Sequence, residues 1–461
     1  MIKKQKLFLI FITFLLSNYG FSQETKQNDT IEIKRFSLSE AQNYAIENNV
    51  TAKNKQIDIA IAKKKVWETT AIGLPQLSAK VSWQYQFTVP TLEMATLVPV
   101  PIEETPDPAD HFHELQYNSI ELGSQQNTTI DFTVTQLIFN GEYIVGLQAT
   151  KVFKSISEKS LEKTEIETRE QIAQTYYLSL VLKQNAEILD TTFANMEKLK
   201  NDMEQMYKQG FIEETDYSQI SLTALNIKNA QISLNRQTEV VNNLLKLQMG
   251  LEFETKIELT DTLQYFLNES EFEALVLKDF SVEKNIDYQM LTIQEQVMSL
   301  SLKREKAKYL PTVAAFYRHQ EQINAPAFNF MPPDIVGISV DIPIFSSGMR
   351  NSKVKQAQLE LEKVQNTKTQ VYDALSIEFE KSKNDFLAAQ DKYKNLSQNY
   401  QLSKSIYDKT LIKYNKGVSS SFELTQAQNQ YFSSQSNYFQ AVVELLNAKA
   451  KLDKLLNSTS K

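Results

Sequence analysis

The chain offers few groupings of residues able to carry out chemistry. Gly141 and Gly146 follow a strand-like stretch at the spacing of a phosphate-binding loop. Leu147-Gln148 stand where a lysine and a hydroxyl must hold phosphate and magnesium, so that reading fails. His111 and His113, with Glu114 beside them, form a His-x-His pair that could ligate a metal from a strand. Pro101, Pro106 and Pro108 lie just before it and favour a solvated loop. No Gly-x-Ser-x-Gly or His-Glu-x-x-His occurs. With no cysteine in 461 residues, disulfides, thiolate chemistry, a Cys-ligated metal and a lipid-modified N-terminal cysteine are excluded. The expectation is a protein that is not an enzyme and takes no cofactor and no metal.

The N-terminus carries Lys3, Lys4 and Lys6, an apolar run from Leu7 to Leu16, and the small residues Gly20 and Ser22 before Gln23. This pattern predicts a secretory signal peptide over residues 1–22. Its removal takes three lysines and no acids, lowering a formal net charge of −7 to −10. An acidic exported chain is a poor binder of nucleic acid. Beyond the signal peptide no apolar run approaches the roughly 18 to 20 residues of a membrane-spanning helix. Any crossing must be made by β-strands.

Only 10 glycines and 11 prolines interrupt the chain, and the prolines cluster in a few segments, so long helices are expected between them. The chain is also a duplicate. Leu74-Pro75-Gln76-Leu77 returns as Leu310-Pro311-Thr312-Val313, Phe139-Asn140-Gly141 as Phe345-Ser346-Ser347-Gly348, and Tyr207-Lys208-Gln209-Gly210 as Tyr414-Asn415-Lys416-Gly417. Each copy reads helix, strand, loop, strand, very long helix, turn, long helix. The boundaries expected are a tail at 23–36, a first repeat at 37–250, a linker at 251–280, a second repeat at 281–457 and a tail at 458–461.

Leu77, Val81, Trp83, Tyr85, Phe87 and Val89 alternate with Ser78, Lys80, Ser82, Gln84, Gln86 and Thr88, which predicts a strand with one apolar face. The same period recurs over Ile130–Thr135 and Val336–Ile344, whereas the strand around Val313 to Gln320 alternates poorly because of Arg318 and His319. Strands of about 10 residues fit a bilayer crossing. Between Gly348 and Gly417 no glycine or proline occurs, and as one helix this stretch would extend about 100 Å. Along it Tyr372, Phe379, Phe386, Tyr393, Tyr400, Tyr407 and Tyr414 recur every seventh residue, as do Leu424, Tyr431, Tyr438, Leu445 and Leu452 on the next helix. That is a coiled-coil seam. In the first copy Leu182, Leu189, Met196 and Met203 face Ile220, Ile227, Leu234 and Val241. Basic runs, Lys63-Lys64-Lys65 and Lys303-Arg304 with Lys306 and Lys308, fall on helices, where a solvated face is the ordinary reading.

With these landmarks in place the chain resembles the outer-membrane efflux proteins, the TolC-like channels, over about residues 37 to 457. The opening signature of that family reads here as Ser37-Leu38-Ser39-Glu40-Ala41 through Ala45 to Glu47-Asn48-Asn49, with Val50 where a proline is usual. Ser37 and Glu40 also form a capping box. The Leu-Pro strand entries, the Phe-x-Gly and Phe-x-x-Gly strand exits and the Tyr-x-x-Gly turns all occur twice.

The resemblance implies a mostly α-helical membrane protein of the outer membrane. It would be a homotrimer whose chains each give four strands to one 12-stranded transmembrane β-barrel, and whose long helices form a tube in the periplasm. Strand counting agrees, since two chains of four give only an eight-stranded barrel filled by its own side chains. Implied partners are a periplasmic adaptor (a membrane fusion protein), an inner-membrane transporter and outer-membrane lipid. The function implied is that of a passive exit duct in a tripartite efflux or type I secretion system; the alternative is a non-conducting periplasmic coiled-coil scaffold or adaptor. Adaptor contact is implied at the two turns, through Tyr207, Gly210 and Phe211 and through Tyr414, Gly417 and Val418. A periplasmic gate is implied at Glu423, with Gln426 where relatives carry a second acid and Asp216 at the matching place in the first copy. The segment from Pro90 to Asn127, which holds several acids, is expected to be an external loop.

Overall fold

A computed structural model describes residues 33–99, 113–325 and 332–456. The expected signal peptide, His111 and the tail at 458–461 lie outside the described residues, and so do the side chains of His113 and Glu114. The order of elements is β1 (Ile33–Phe36), α1 (Leu38–Asn48), α2 (Val50–Ala71), β2 (Gln76–Tyr85), β3 (Thr91–Pro99), β4 (His113–Glu121), β5 (Gln126–Asn140), α3 (Gly141–Lys208) and α4 (Glu214–Met249). There follow β6 (Lys256–Leu259), α5 (Leu263–Phe266), α6 (Glu269–Val276), α7 (Ile286–Ala307), β7 (Thr312–Ile323), β8 (Asp334–Asp341), α8 (Met349–Asn415) and α9 (Ser421–Leu455). The end of the expected N-terminal tail is therefore a strand. β1 pairs in parallel with β6, inside the stretch that composition marks as a linker.

Helices α3 and α8 have 68 and 67 residues, so each runs about 100 Å without a break. The half of α3 nearest the strands lies beside α7, where Lys163 meets Asp287 at 2.6 Å and Arg304 approaches Glu142 at 3.7 Å. Its far half lies beside α4, where Ser179 donates to Asn242 at 2.6 Å. Helix α8 repeats the arrangement, bonding α7 through Lys368–Glu295 at 2.9 Å and α9 through Lys392–Glu444 at 2.6 Å. No described helix is long and apolar enough to cross a membrane.

The seven-residue repeat of aromatics has a direct physical use. Tyr393, Tyr438, Tyr400, Tyr431 and Tyr407 interleave from α8 and α9 with ring centroids 5.0 to 6.0 Å apart, a zipper of mostly stacked rings. Burial pushes the Tyr407 phenol up to about 12 and raises those of Tyr431 and Tyr438 further, so these three rings stay uncharged. Higher on the same stripe Phe386 and Phe379 meet Phe272 and Phe280 at 5.6 and 4.6 Å. These contacts belong to a large mid-length core with Ile172, Tyr176, Leu245, Met249 and Leu446, while Met196, Met203, Ile220, Ile227 and Leu424 form a second core nearer the turns.

The signature around Glu47-Asn48-Asn49 is a joint. Ser37 and Glu40 close a capping box at the start of α1, with the Ser37 N–H donating to Glu40 Oε2 at 2.8 Å. Asn49 ends α1 and caps α2, accepting the Thr51 N–H at 2.7 Å on its side-chain oxygen while its side-chain nitrogen donates to the Gln248 carbonyl at 2.6 Å. The end of α4 is thereby seated on the α1–α2 corner. Gly250 terminates α4 at φ +74°, and a Cβ there would lie 2.4 Å from the Asn48 carbonyl oxygen.

Strands from both copies join one antiparallel sheet in the order β2-β5-β7-β8. The expected external loop is different in kind: β3 and β4 pair antiparallel from Thr91–Glu121 to Pro99–His113, a hairpin rising from β2 and β5. Pro101, Pro106 and Pro108, which argue for a loop, lie outside the described residues, and the two prolines at β3 stand at its margins. Pro90 precedes β3 and Pro99 is its last residue, positions where a missing N–H is tolerated.

Candidate functional site

Two regions carry the residues that sequence and resemblance single out, the sheet at one end and the two helix turns at the other. Register fixes the faces of the sheet. Leu77, Val134, Tyr317 and Val336 share one row across four strands, with Val81–Ile130 and Ala315–Ile338 on the same face. The opposite face holds Ser78, Thr133 and Arg318 in one row and Lys80, Asp131 and Gln320 in the next, and Ser82 bonds Thr129 at 2.6 Å. The apolar face is bare: Val336 is 82% and Trp83 65% exposed, and Leu77, Val81 and Ile338 are exposed with them.

The poor alternation of β7 now has an explanation. Arg318 belongs to the polar face. His319 falls on the apolar face, but its Nδ1 lies 2.8 Å from Asp334 Oδ1 directly across on β8, and Tyr317 donates to the same carboxylate oxygen at 2.6 Å. Asp334 is the first residue of β8, so the polar group closes one end of the apolar belt.

At the far end the two turns are built alike. The Gly210 N–H donates to the Tyr207 carbonyl at 2.9 Å and the Phe211 N–H to that of Met206 at 2.9 Å. Gly417 and Val418 repeat this with Tyr414 and Lys413 at 2.9 Å each. With φ of +77° at Gly210 and +72° at Gly417, both are left-handed helix closures of the kind glycine favours. Phe211 and Val418 follow them and are 72% and 75% exposed, and Phe422 near the start of α9 is exposed as well. Tyr207 stacks on Tyr217 at 5.9 Å, and the Tyr414 hydroxyl donates to Met203 Sδ at 2.8 Å, which ties one turn to the other. A cleft of about 750 Å³ lies between them, lined by Met206, Ile212, Asp216, Gly417 and Ser420 among others.

Asp216 and Glu423 each occupy the third position of a helix, α4 and α9. They differ in what they hold. The Glu423 carboxylate folds back on its own helix start, accepting from the Ser419 hydroxyl and, at 3.4 Å, from the Ser420 N–H, while the Ser420 side chain accepts the Glu423 N–H at 3.2 Å. These bonds, the Ser419 hydroxyl foremost, hold its carboxyl below the usual range, and the side chain remains exposed at full charge near neutral pH. Asp216 instead accepts from the Ser421 hydroxyl, which also donates to Gln219 at 3.1 Å, so it links α4 to α9. Gln426 is exposed one turn beyond Glu423. Ser421 is the residue here that sequence reasoning misses, because its partner comes from the other copy. The Ser420-x-x-Glu423 capping box was legible, being the same pattern as Ser37-x-x-Glu40. No group of three or more His, Cys, Asp and Glu able to hold a metal ion occurs among the described residues.

The comparisons fit this geometry. The sequence model of the outer membrane efflux protein family matches residues 295–458. No curated protein matches the chain in sequence. In structure it is similar to the outer membrane protein VceC from Vibrio cholerae, with a TM-score of 0.67 at 14% identity over 91% of this chain and 95% of that one. The CmeC outer membrane channel of Campylobacter jejuni gives 0.69 at 14% identity over 91% and 85%. The MtrE outer membrane channel of Neisseria gonorrhoeae, in its open state, gives 0.67 at 13% identity over 94% of each chain. Residues 295–458 thus match the outer membrane efflux protein family, and along nearly its whole length the chain takes the fold of these outer-membrane channels.

Proposed function

We propose that the chain is one subunit of a homotrimeric outer-membrane efflux channel, a passive exit duct fed by an inner-membrane transporter through a periplasmic adaptor. The observation that carries this is the four-stranded sheet, which has a bare apolar face and two edges, β2 and β8, that pair with no other strand among the described residues. Such a surface does not persist in water. Lipid covers the face, and neighbouring copies pair the edges. Three chains give 12 strands, the smallest closure of this sheet that leaves a lumen beyond the filled eight-stranded case. The polar face of Ser78, Ser82, Thr129 and Thr133 then lines the pore. The test is extraction: the protein should need detergent and run as an oligomer that heating converts to monomer. Release by salt alone would instead favour a periplasmic scaffold.

In this reading the exposed turn residues Phe211 and Val418, presented by Gly210 and Gly417 and braced by Tyr207 and Tyr414, meet the adaptor end to end. The gate lies just above, with three copies of Glu423 around the axis, Gln426 weakening the field beside them, and Asp216 holding the two hairpins together. Multivalent cations should therefore block the open pore. Glu423→Gln keeps an oxygen for the cap bond while removing the charge, so it isolates the electrostatic role. The concentration of a trivalent cation needed for half-block should rise about tenfold, a change of about 1.4 kcal/mol. An unaltered block would remove Glu423 from the gate.

The β3–β4 hairpin overhangs the mouth on the outer side. No Lys or Arg occurs from Val81 to Thr150, and Glu93, Glu114 and Glu121 lie on or beside the hairpin, so it favours cations at the entrance. The chain lacks cysteine, so Ser119→Cys on exposed β4 gives a single label site. An impermeant thiol reagent should modify it in intact cells. Protection until the outer membrane is permeabilised would place the hairpin on the periplasmic side.

A further inference from the structure

Three of the four helices that meet the sheet, α2, α7 and α8, bring basic residues to the same level. Helices α2 and α7 precede β2 and β7, and α3 and α8 follow β5 and β8, so the three turns of each helix nearest the sheet, about 16 Å of its length, stand at the same end of the strands. Within those turns Lys63, Lys64, Lys303, Lys306, Lys353 and Lys355 are exposed, and none makes a salt bridge with a described residue. The carboxylates there are few and already engaged. Glu68 pairs with Lys65 at 2.9 Å, Glu305 with Lys308 at 2.7 Å, and Glu142 lies between Arg304 and Lys308 at 3.7 and 3.6 Å.

Aromatic side chains stand at the same level. Trp67, one helical turn beyond Lys63, is 61% exposed on α2, and Phe345 and Tyr309 are exposed where β8 ends and before β7 begins. The Arg350 guanidinium sits 5.3 Å from the Tyr309 ring. Aromatic rings with flanking cations mark the boundary between hydrocarbon and headgroups. The opposite end of the sheet has aromatic Trp83, Tyr85 and Phe87 but no cation between Val81 and Thr150. In a chain whose net charge is −7, basic residues massed at one edge of the apolar belt are a polarity of the fold and not a reflection of composition.

We propose that this basic and aromatic collar binds the phosphate headgroups of anionic phospholipid in the periplasmic leaflet, and so fixes the depth and orientation of the channel. The proposal rests on the membrane reading of the sheet. Lysine ammonium groups bind lipid phosphate as point charges, and a juxtamembrane cluster of several cations is the recognised form of such attraction.

The test uses the full-length protein reconstituted in bilayers with spin-labelled phosphatidylglycerol or phosphatidylcholine. A transmembrane barrel immobilises a shell of either lipid, so the immobilised fraction reports the barrel and the ratio of the two lipids reports the collar. We expect phosphatidylglycerol to associate at least about threefold more strongly. The preference should vanish near 1 M salt, where the screening length falls to about 3 Å. Joint replacement of the six lysines by glutamine should abolish it, replacement by arginine should keep it, and Lys404→Gln with Lys409→Gln, far along α8, should leave it unchanged. An immobilised shell with equal affinity for both lipids, or a preference that survives both high salt and the glutamine variant, would overturn the collar and leave the barrel standing. No immobilised shell at all would overturn the barrel and the collar with it.

Discussion

Gly250→Ala should cost the protein its assembly, whereas the same change at Gly417 should be tolerated. Both glycines close a helix with nearly the same left-handed backbone, φ +74° and +72°. At Gly417 nothing lies within 4 Å of where a Cβ would stand, so alanine meets only the conformational penalty of about 1 to 2 kcal/mol. At Gly250 the added carbon would meet the backbone oxygen of Asn48 at 2.4 Å and its carbonyl carbon at 2.8 Å. Neither atom can move without unseating the α1–α2 corner that Asn49 bonds to Gln248. Overpacking of this kind adds about 1 to 3 kcal/mol, for a total of about 2 to 5 kcal/mol, a large share of the stability of most folds. Thermal melts of the solubilised protein should show a marked loss for Gly250→Ala and a small one for Gly417→Ala. Asparagine separates the causes: it accepts the left-handed backbone, so it should be nearly neutral at 417 and still damaging at 250.

Gly417→Val should abolish export while leaving the oligomer intact. A β-branched residue tolerates the left-handed region poorly, so the turn must open, and with it the paired bonds from Gly417 and Val418 to Tyr414 and Lys413. The damage stays local. The tyrosine zipper begins at Tyr407, nearly three helical turns back, and no atom of the core around Leu424 and Ile220 lies within 4 Å of where a Cβ at Gly417 would stand. What is lost is the presentation of the exposed Val418, which with Phe211 makes the surface assigned to the adaptor. Heat-modifiable oligomer should appear in wild-type amount while efflux falls to a tenth or less. Wild-type efflux from this variant would remove the second turn from the adaptor contact.

The long-range plan was legible because it repeats locally. Leu-Pro pairs stop helices and start strands at Leu74-Pro75 and Leu310-Pro311, and a strict seven-residue interval of tyrosines needs a coiled-coil partner, which α9 provides. The hairpin of β3 and β4 was hidden because prolines argue against strands unless they stand at the margin, as Pro90 and Pro99 do. Arg318 and His319 weakened β7 in the sequence because the meaning of a charge depends on the facing strand, and the neutralising Asp334 comes from β8. At the turns, the matching spacing of Asp216 and Glu423 from the two glycines was plain, but not their divergence. Only the packing of one hairpin on the other brings Ser421 to Asp216 and leaves Glu423 to its own capping box. The basic runs on α2 and α7 read as solvated faces until the chain topology brought them to one level.

The claim that three sheets close into one conducting barrel is tested most directly by recording the purified oligomer in planar lipid bilayers. Discrete, uniform conductance steps on each insertion, lost when heating separates the subunits, are the expected result. A heat-sensitive oligomer that binds the bilayer yet never raises its conductance above that of bare lipid, with the acidic ring neutralised by Glu423→Gln as well as in the native protein, would contradict it.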